Sequence, residues 1–184
     1  MLVIKWAVFL LATAGLVYLS RASLKSPRSH GFYRFFAWET VLALAVLNAD
    51  RWFHNPWSWH QLISWPLLLI SGFLVIHGVS LLRKRGRPDA QRYDETLVAF
   101  ERTTVLVTTG IYRYIRHPLY SSLLFLAWGA FFKVPSWLGG LLALATTLFL
   151  VATAKVEEVE NTQFFGPSYE EYMGQTKMFI PFIL

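Results

Sequence analysis

Residues 2–20 form a continuous apolar run whose only charge is Lys5. At ~1.5 Å of rise per residue, roughly 20 helical residues span the bilayer core. Inside lipid every backbone polar group must be satisfied by the chain itself, so a helix is the form open to such a run. It is long for the apolar part of a secretion signal, and no clear small-residue cleavage pattern precedes a polar mature segment. It therefore reads as the first membrane helix.

Four more apolar stretches follow. Residues 35–48 are apolar apart from Glu39 and Thr40, with Phe32 and Tyr33 joining at the interface, and residues 61–82 carry His77, Gly72 and Gly78. Residues 117–132 are apolar but reach only about 24 Å as a helix. After a tight turn from Lys133 to Ser136, residues 137–154 return, so these last two helices are expected to form an antiparallel hairpin. The helical pattern runs on past Lys155 to Phe165, where Gly166-Pro167 stops it. The expected fold is all-α: a polytopic integral membrane protein with about five transmembrane helices and one domain over residues 1–184. Residues 1–82 hold three helices, 83–116 a cytoplasmic connection, 117–155 the hairpin and 156–184 a closing tail.

Composition agrees. Only 15% of residues are charged, against about 25% in soluble domains. Trp6, Trp52, Trp57, Trp59, Trp65 and Trp137 lie near run ends, where an apolar ring with one N–H suits the membrane interface. The absence of Cys excludes disulfides and thiolate chemistry. No metal site is expected, because His54 and His60 have no carboxylate cluster beside them. A net charge of +6 suits anionic lipid headgroups. Nucleic acid is not an expected partner, since the basic residues are scattered and no recognition module is present.

With the N-terminus outside, residues 21–34 and 83–116 face inward with four and eight basic residues, against Lys5, Arg51 and Lys133 outside. This asymmetry follows the positive-inside rule. It puts the long connection and the C-terminus on the cytoplasmic face, with a prokaryotic inner membrane as the expected location.

Two polar clusters then share one face. The first is Thr108-Thr109-Gly110-Ile111-Tyr112-Arg113-Tyr114-Ile115-Arg116-His117-Pro118-Leu119-Tyr120. Here the chain turns at Gly110, and Pro118 suits the first turn of a helix. The second contains Glu157, Glu158, Asn161, Phe165, Gly166, Tyr169 and Tyr172. Glu157 and Asn161 are one helical turn apart and share a face. Read as bare residues, the first cluster is an interfacial anchor or half of a site. The glutamates are either solvated or hold a cation or a polar ligand. The two clusters are expected to close one site at the membrane surface.

In this order, these blocks resemble the integral-membrane methyltransferases, the isoprenylcysteine carboxyl methyltransferase and phospholipid N-methyltransferase superfamily. The resemblance covers about residues 100–181. It implies a pocket for S-adenosylmethionine on the cytoplasmic side and a lipophilic small-molecule or lipid acceptor arriving from the bilayer. It carries cofactor binding to Gly110, Tyr112, His117, Pro118, Tyr120, Glu157 and Glu158, and catalytic roles to Arg116, His117 and Glu158. The chain departs from the family pattern at Ser121-Ser122, where Gly is frequent, and at Asn161, where Leu is frequent. Two rival readings are a reductase-like enzyme using a nicotinamide cofactor and a non-catalytic lipid-binding or assembly protein.

Elsewhere, Glu39 is expected to be protonated, paired across helices or functional, and His77 to bond a neighbouring helix. Asn48 and Asp50 are expected to cap the second helix. Residues 89–102 are expected to form an interfacial lid or a plain linker.

Overall fold

The computed structural model describes residues 2–89, 97 and 101–182. Seven α-helices appear among them: α1 (Leu2–Leu19), α2 (Arg21–Leu24), α3 (His30–Asn48), α4 (Trp59–Arg85), α5 (Pro118–Phe131), α6 (Trp137–Phe165) and α7 (Pro167–Gln175). Three of them, α1, α4 and α6, are long and apolar enough to cross a membrane. In α6 the apolar part is 137–154, and the polar part beyond it leads out. Leu11, Leu69, Ile76 and Leu148 are each more than 70% exposed, as lipid-facing side chains must be. The chain is an all-α polytopic membrane protein.

α5 and α6 are joined by a tight turn and touch, yet α5 pairs most extensively with α4, and α6 with α3. Small residues decide this. A Cβ on Gly129 would stand 2.8 Å from Leu68 Cδ2, and one on Gly78 would stand 3.0 Å from Leu119 Cδ2, so these glycines let α4 and α5 approach closely. Between α3, α5 and α6 the buried core is rich in alanine: Ala37, Ala127, Ala130, Ala143 and Ala154 are each at most 1% exposed. Close backbone approach is how membrane helices gain packing energy where lipid offers no hydrophobic drive.

Polar side chains tie these crossings. Ser64 Oγ donates to the Gly129 carbonyl at 2.7 Å, and Thr146 Oγ1 to Thr40 Oγ1 at 2.9 Å. Asn48 does not cap α3. Its amide donates across to the Ala130 carbonyl at 2.7 Å, while Asp50 pairs with Lys5 at 2.7 Å. Glu39 pairs across helices, accepting from Thr13 Oγ1 of α1 at 2.9 Å. His77 stacks on Phe73, its own helix neighbour, at 5.4 Å.

α3 begins at His30, so part of the expected polar loop is helix. The polar residues His30 and Arg34 sit inside the fold because carboxylates meet them there: Glu160 contacts His30, and Arg34 Nη1 lies 2.6 Å from Glu101 Oε2. The lid or linker expected over 89–102 lies outside the described residues, apart from Asp89, Leu97, Glu101 and Arg102.

The two ends of the bundle differ. At one end Lys133, 1% exposed, donates to Gln61 Oε1 at 2.9 Å and stands 3.2 Å from the Trp65 ring centroid. Gln61 Nε2 in turn donates to carbonyls of Arg51, His54 and Lys133. That end is stapled shut. The other end gathers both polar clusters.

Gly129→Leu is expected to force α4 and α5 apart. Overpacking of this kind costs about 1–3 kcal/mol, to be read as a lowered thermal unfolding midpoint in detergent.

Candidate active site

Gly110 turns the chain at φ +64°, a left-handed conformation that favours glycine. A Cβ there would also lie 2.7 Å from Leu81 Cδ1 and 3.2 Å from His77 Nε2. Gly110 therefore lets the loop lie on α4, and it faces that helix. A 3-10 turn, Gly110–Arg113, follows and buries Tyr112.

The strand-like segment 114–117 is then clamped by the C-terminal tail. The N–H groups of Arg116 and His117 donate to the carbonyls of Lys177 and Met178 at 2.8 and 3.1 Å, and the Lys177 N–H donates to the Tyr114 carbonyl at 3.0 Å. Pro118 opens α5. Ser121 Oγ donates to the Phe179 carbonyl at 2.8 Å, and Phe179 packs with Tyr120, Leu150 and Ala154 in one core cluster.

Gly166, also left-handed at φ +62°, ends α6 as expected, and α7 starts at once. Tyr169 and Tyr172 lie three apart on α7, and both are buried. Tyr172 Oη donates to the Tyr112 carbonyl at 2.6 Å. The tail thus folds α7 onto the first cluster.

The side chains of the two clusters meet. Arg116 Nε donates to Glu158 Oε1 at 2.6 Å, and its Nη1 donates to the carbonyls of Met173 (3.2 Å) and Thr176. His117 Nε2 lies 3.3 Å from the same Glu158 oxygen, and its Nδ1 lies 3.8 Å from Glu157 Oε2. Tyr120 stacks on His117 at 5.4 Å and hydrogen-bonds Glu157. The structure brings together Arg116, His117, Tyr120, Glu157 and Glu158.

Around them is a partly open pocket with a volume of about 80 Å³. Its lining mixes polar side chains, among them Tyr112, His117, Tyr120, Glu157 and Asn161, with apolar ones such as Leu82, Leu97, Leu106, Pro118, Leu119 and Phe165. Arg116 and Glu101 also border it. Glu158 backs it through His117 and Arg116, and Gly110 supports it from the α4 side.

Electrostatics fix the protonation states. Burial opposes the charge on Glu158, but the hydrogen bonds and fields of His117 and Arg116 outweigh it, so its carboxyl titrates below the usual range. Burial also opposes the charge on Glu157. There His117 and His30, the Tyr120 hydroxyl and Arg34 outweigh it, with the same net direction. Burial pushes the Tyr112 phenol well up, as does Glu157 beside it. The pocket thus presents carboxylates and protonated phenols.

Four polar residues at or near the pocket stand out only in the structure: His30, Arg34, Glu160 and the pocket-lining Glu101. His30 and Arg34 are four apart and share one face of α3. That spacing becomes a signal only once the helix is known to start at residue 30.

Fold and site together describe an all-α membrane protein with a polar pocket walled by the C-terminal tail. The phospholipid methyltransferase family model matches residues 59–168, more than half of the chain, and the protein belongs to that family. It is similar to methanethiol S-methyltransferase of Pseudomonas deceptionensis, 28% identical over 145 residues, covering 78% of this chain and 48% of that one. Protein-S-isoprenylcysteine O-methyltransferase of Schizosaccharomyces pombe is 33% identical over 115 residues, 61% of this chain and 48% of that one. The human protein of the same name is 29% identical over 128 residues, 68% and 45% of the two chains. The chain spans about half the length of these curated relatives. No solved structure matches it.

Because the folded pKa of Glu158 lies below its unfolded value, its pairing stabilises the fold fully at neutral pH. That contribution is lost as pH falls below about 4.3 and through the folded pKa. Glu158→Gln is expected to lower stability at neutral pH and to flatten its acid dependence, measured as thermal midpoint against pH.

Proposed function

We propose that this protein transfers a methyl group from S-adenosylmethionine to a lipophilic acceptor that reaches the pocket from the bilayer. The observation that carries the reading is Glu157 Oε2. It is buried at the pocket, it titrates as a carboxylate, and it accepts no hydrogen bond from the described residues. Leaving such an oxygen unsatisfied is costly. An amine or ribose hydroxyl of the donor would satisfy it, so the residues present fit that molecule.

In this reading Glu157, His117, Pro118, Tyr112 and Tyr120 hold the donor. Glu158 keeps Arg116 and His117 in place, and Gly110 sets the loop under Tyr112. When bound, S-adenosylmethionine supplies a methyl carbon activated by a sulfonium, so the protein's task is positioning and exclusion of water. The Tyr120 and Tyr112 rings stabilise a cation by about 0.5–2 kcal/mol where their faces meet it. Leu82, Leu97, Leu106 and Leu119 offer apolar contacts to the acceptor in the same pocket. The family membership and the activities named for the relatives, methanethiol S-methylation and isoprenylcysteine O-methylation, support methyl transfer.

The same reading takes residues 1–184 as one domain with five crossings, α3 and α5 completing the set. It puts the pocket on the cytoplasmic side and the N-terminus outside. Its support is the charge asymmetry, together with the sorting of the loops to the two ends of the bundle.

Purified protein is expected to bind S-adenosylmethionine and not NADPH by calorimetry. His117→Ala should weaken binding by at least about tenfold, or ~1.4 kcal/mol. Binding of NADPH alone would favour the reductase-like reading. Binding of neither would leave the non-catalytic one.

A further inference from the structure

α3 and α4 are tied to each other differently at the two ends of the bundle. α4 packs on α5 and on the Gly110–Arg113 turn, whereas α3 packs on α1, α5 and α6. At the far end Gln61 of α4 donates to the Arg51 carbonyl, in the 3-10 turn that follows α3. At the pocket end the tie is an ion pair: Arg34 Nη1 of α3 donates to Glu101 Oε2 at 2.6 Å.

Glu101 is itself fastened to α4. Gly86 ends that helix, and its carbonyl accepts from the N–H groups of Thr104 and Val105 at 3.0 and 3.1 Å. The Asp89 N–H donates to the Arg102 carbonyl at 3.0 Å. A Cβ on Gly86 would lie 2.4 Å from Thr103 Cγ2, so the two arms touch. Arg34 is held in place as well. It is buried, and its guanidinium carbon stands 5.0 Å from the Trp38 ring centroid. The pair therefore braces α3 against the end of α4.

Glu101 lines the pocket, as do Leu97, Thr103, Leu106 and Val107 from the same connection. The residues read above as holding the donor stand on other supports. Segment 114–117 is clamped by Lys177 and Met178, and Glu157 belongs to α6. A buried ion pair contributes little stability beyond an apolar pair of similar volume, so stability alone gives no reason for a charged brace at this place. We propose that Arg34 and Glu101 are positioning residues for the methyl acceptor: their contact sets the separation of α3 and α4 at the pocket and holds the lining contributed by the connection against the acceptor. This inference rests on the methyltransferase reading. The Arg34 charge also reaches Glu157, so the test varies Glu101 alone as well as the pair.

Glu101→Ala, Glu101→Asp and the double variant Arg34→Met/Glu101→Ala are compared with wild type as full chains. Glu101→Ala strands a buried guanidinium and should lower the thermal midpoint, whereas the double variant strands no charge and should recover it. The chain has no native Cys, so spin labels at Arg28→Cys and Thr104→Cys, both exposed positions, report the separation across the brace. Their distance distribution should be narrow in wild type and broader in both alanine variants. Methyl transfer is then measured with 1-decanethiol, decylamine and decanoate, following whichever of them wild type methylates. Acceptor kcat/KM should fall about tenfold or more in both alanine variants, mainly through KM, and less in Glu101→Asp, while S-adenosylmethionine affinity stays within about threefold.

A double variant that regains wild-type acceptor KM together with its thermal midpoint makes the pair merely structural and overturns the inference. So does a distance distribution that the double variant leaves unchanged. If wild type methylates none of the three acceptors, the methyltransferase reading fails instead, and the spin-label distances still decide whether the brace exists.

Discussion

The site depends on the pairing of segment 114–117 with the C-terminal tail. Pro118 has no N–H and starts α5, so the residues just before it cannot continue a helix backward. Their backbone groups still need partners, because an unpaired buried N–H is costly. Lys177 and Met178 supply the carbonyls, and Lys177 returns one N–H to Tyr114. This short parallel exchange pulls the tail across the end of the bundle. It lodges Phe179 beside Tyr120 and sets α7 as the outer wall. Without it, Tyr169 and Tyr172 would have nothing to face.

Charge compensation fixes the rest of that end. Arg116, Arg34 and His30 lie at or below 12% side-chain exposure, and each meets a glutamate. Removing one partner from such a pair would strand a buried charge, which costs far more than the intact pair contributes. α6 carries two of these glutamates, Glu158 and Glu160, with Glu157 beside them, so a single polar helical turn organises groups from α3, from the loop before α5 and from Tyr120. The pocket is where this compensation is left incomplete, at Glu157 Oε2.

The opposite end uses different physics for the same purpose. Lys133 is neutralised by no carboxylate among the described residues. It rests on the faces of Trp65 and Trp52 and on the Gln61 amide oxygen. Cation–π contacts strengthen when desolvated, and the Gln61 amide closes two turns at once. One end is locked by aromatic and amide contacts, while the other keeps space for a ligand.

The sequence alone determined the helical membrane class, and it singled out the two polar clusters with Arg116, His117, Glu157 and Glu158 in them. Lipid forces long apolar runs into helices, and Gly and Pro punctuate them at Gly110, Pro118 and Gly166-Pro167. Tertiary structure decided which helices pair, because close approach depends on where Gly78, Gly129 and the alanines face one another. It also decided that Asn48 bridges to α5 instead of capping its own helix. Above all it decided the depth of the site. His30 and Arg34 read as loop charges until α6 and Glu101 are seen to bury and pair them, and that pairing joins residues too distant in the chain for any local pattern to record.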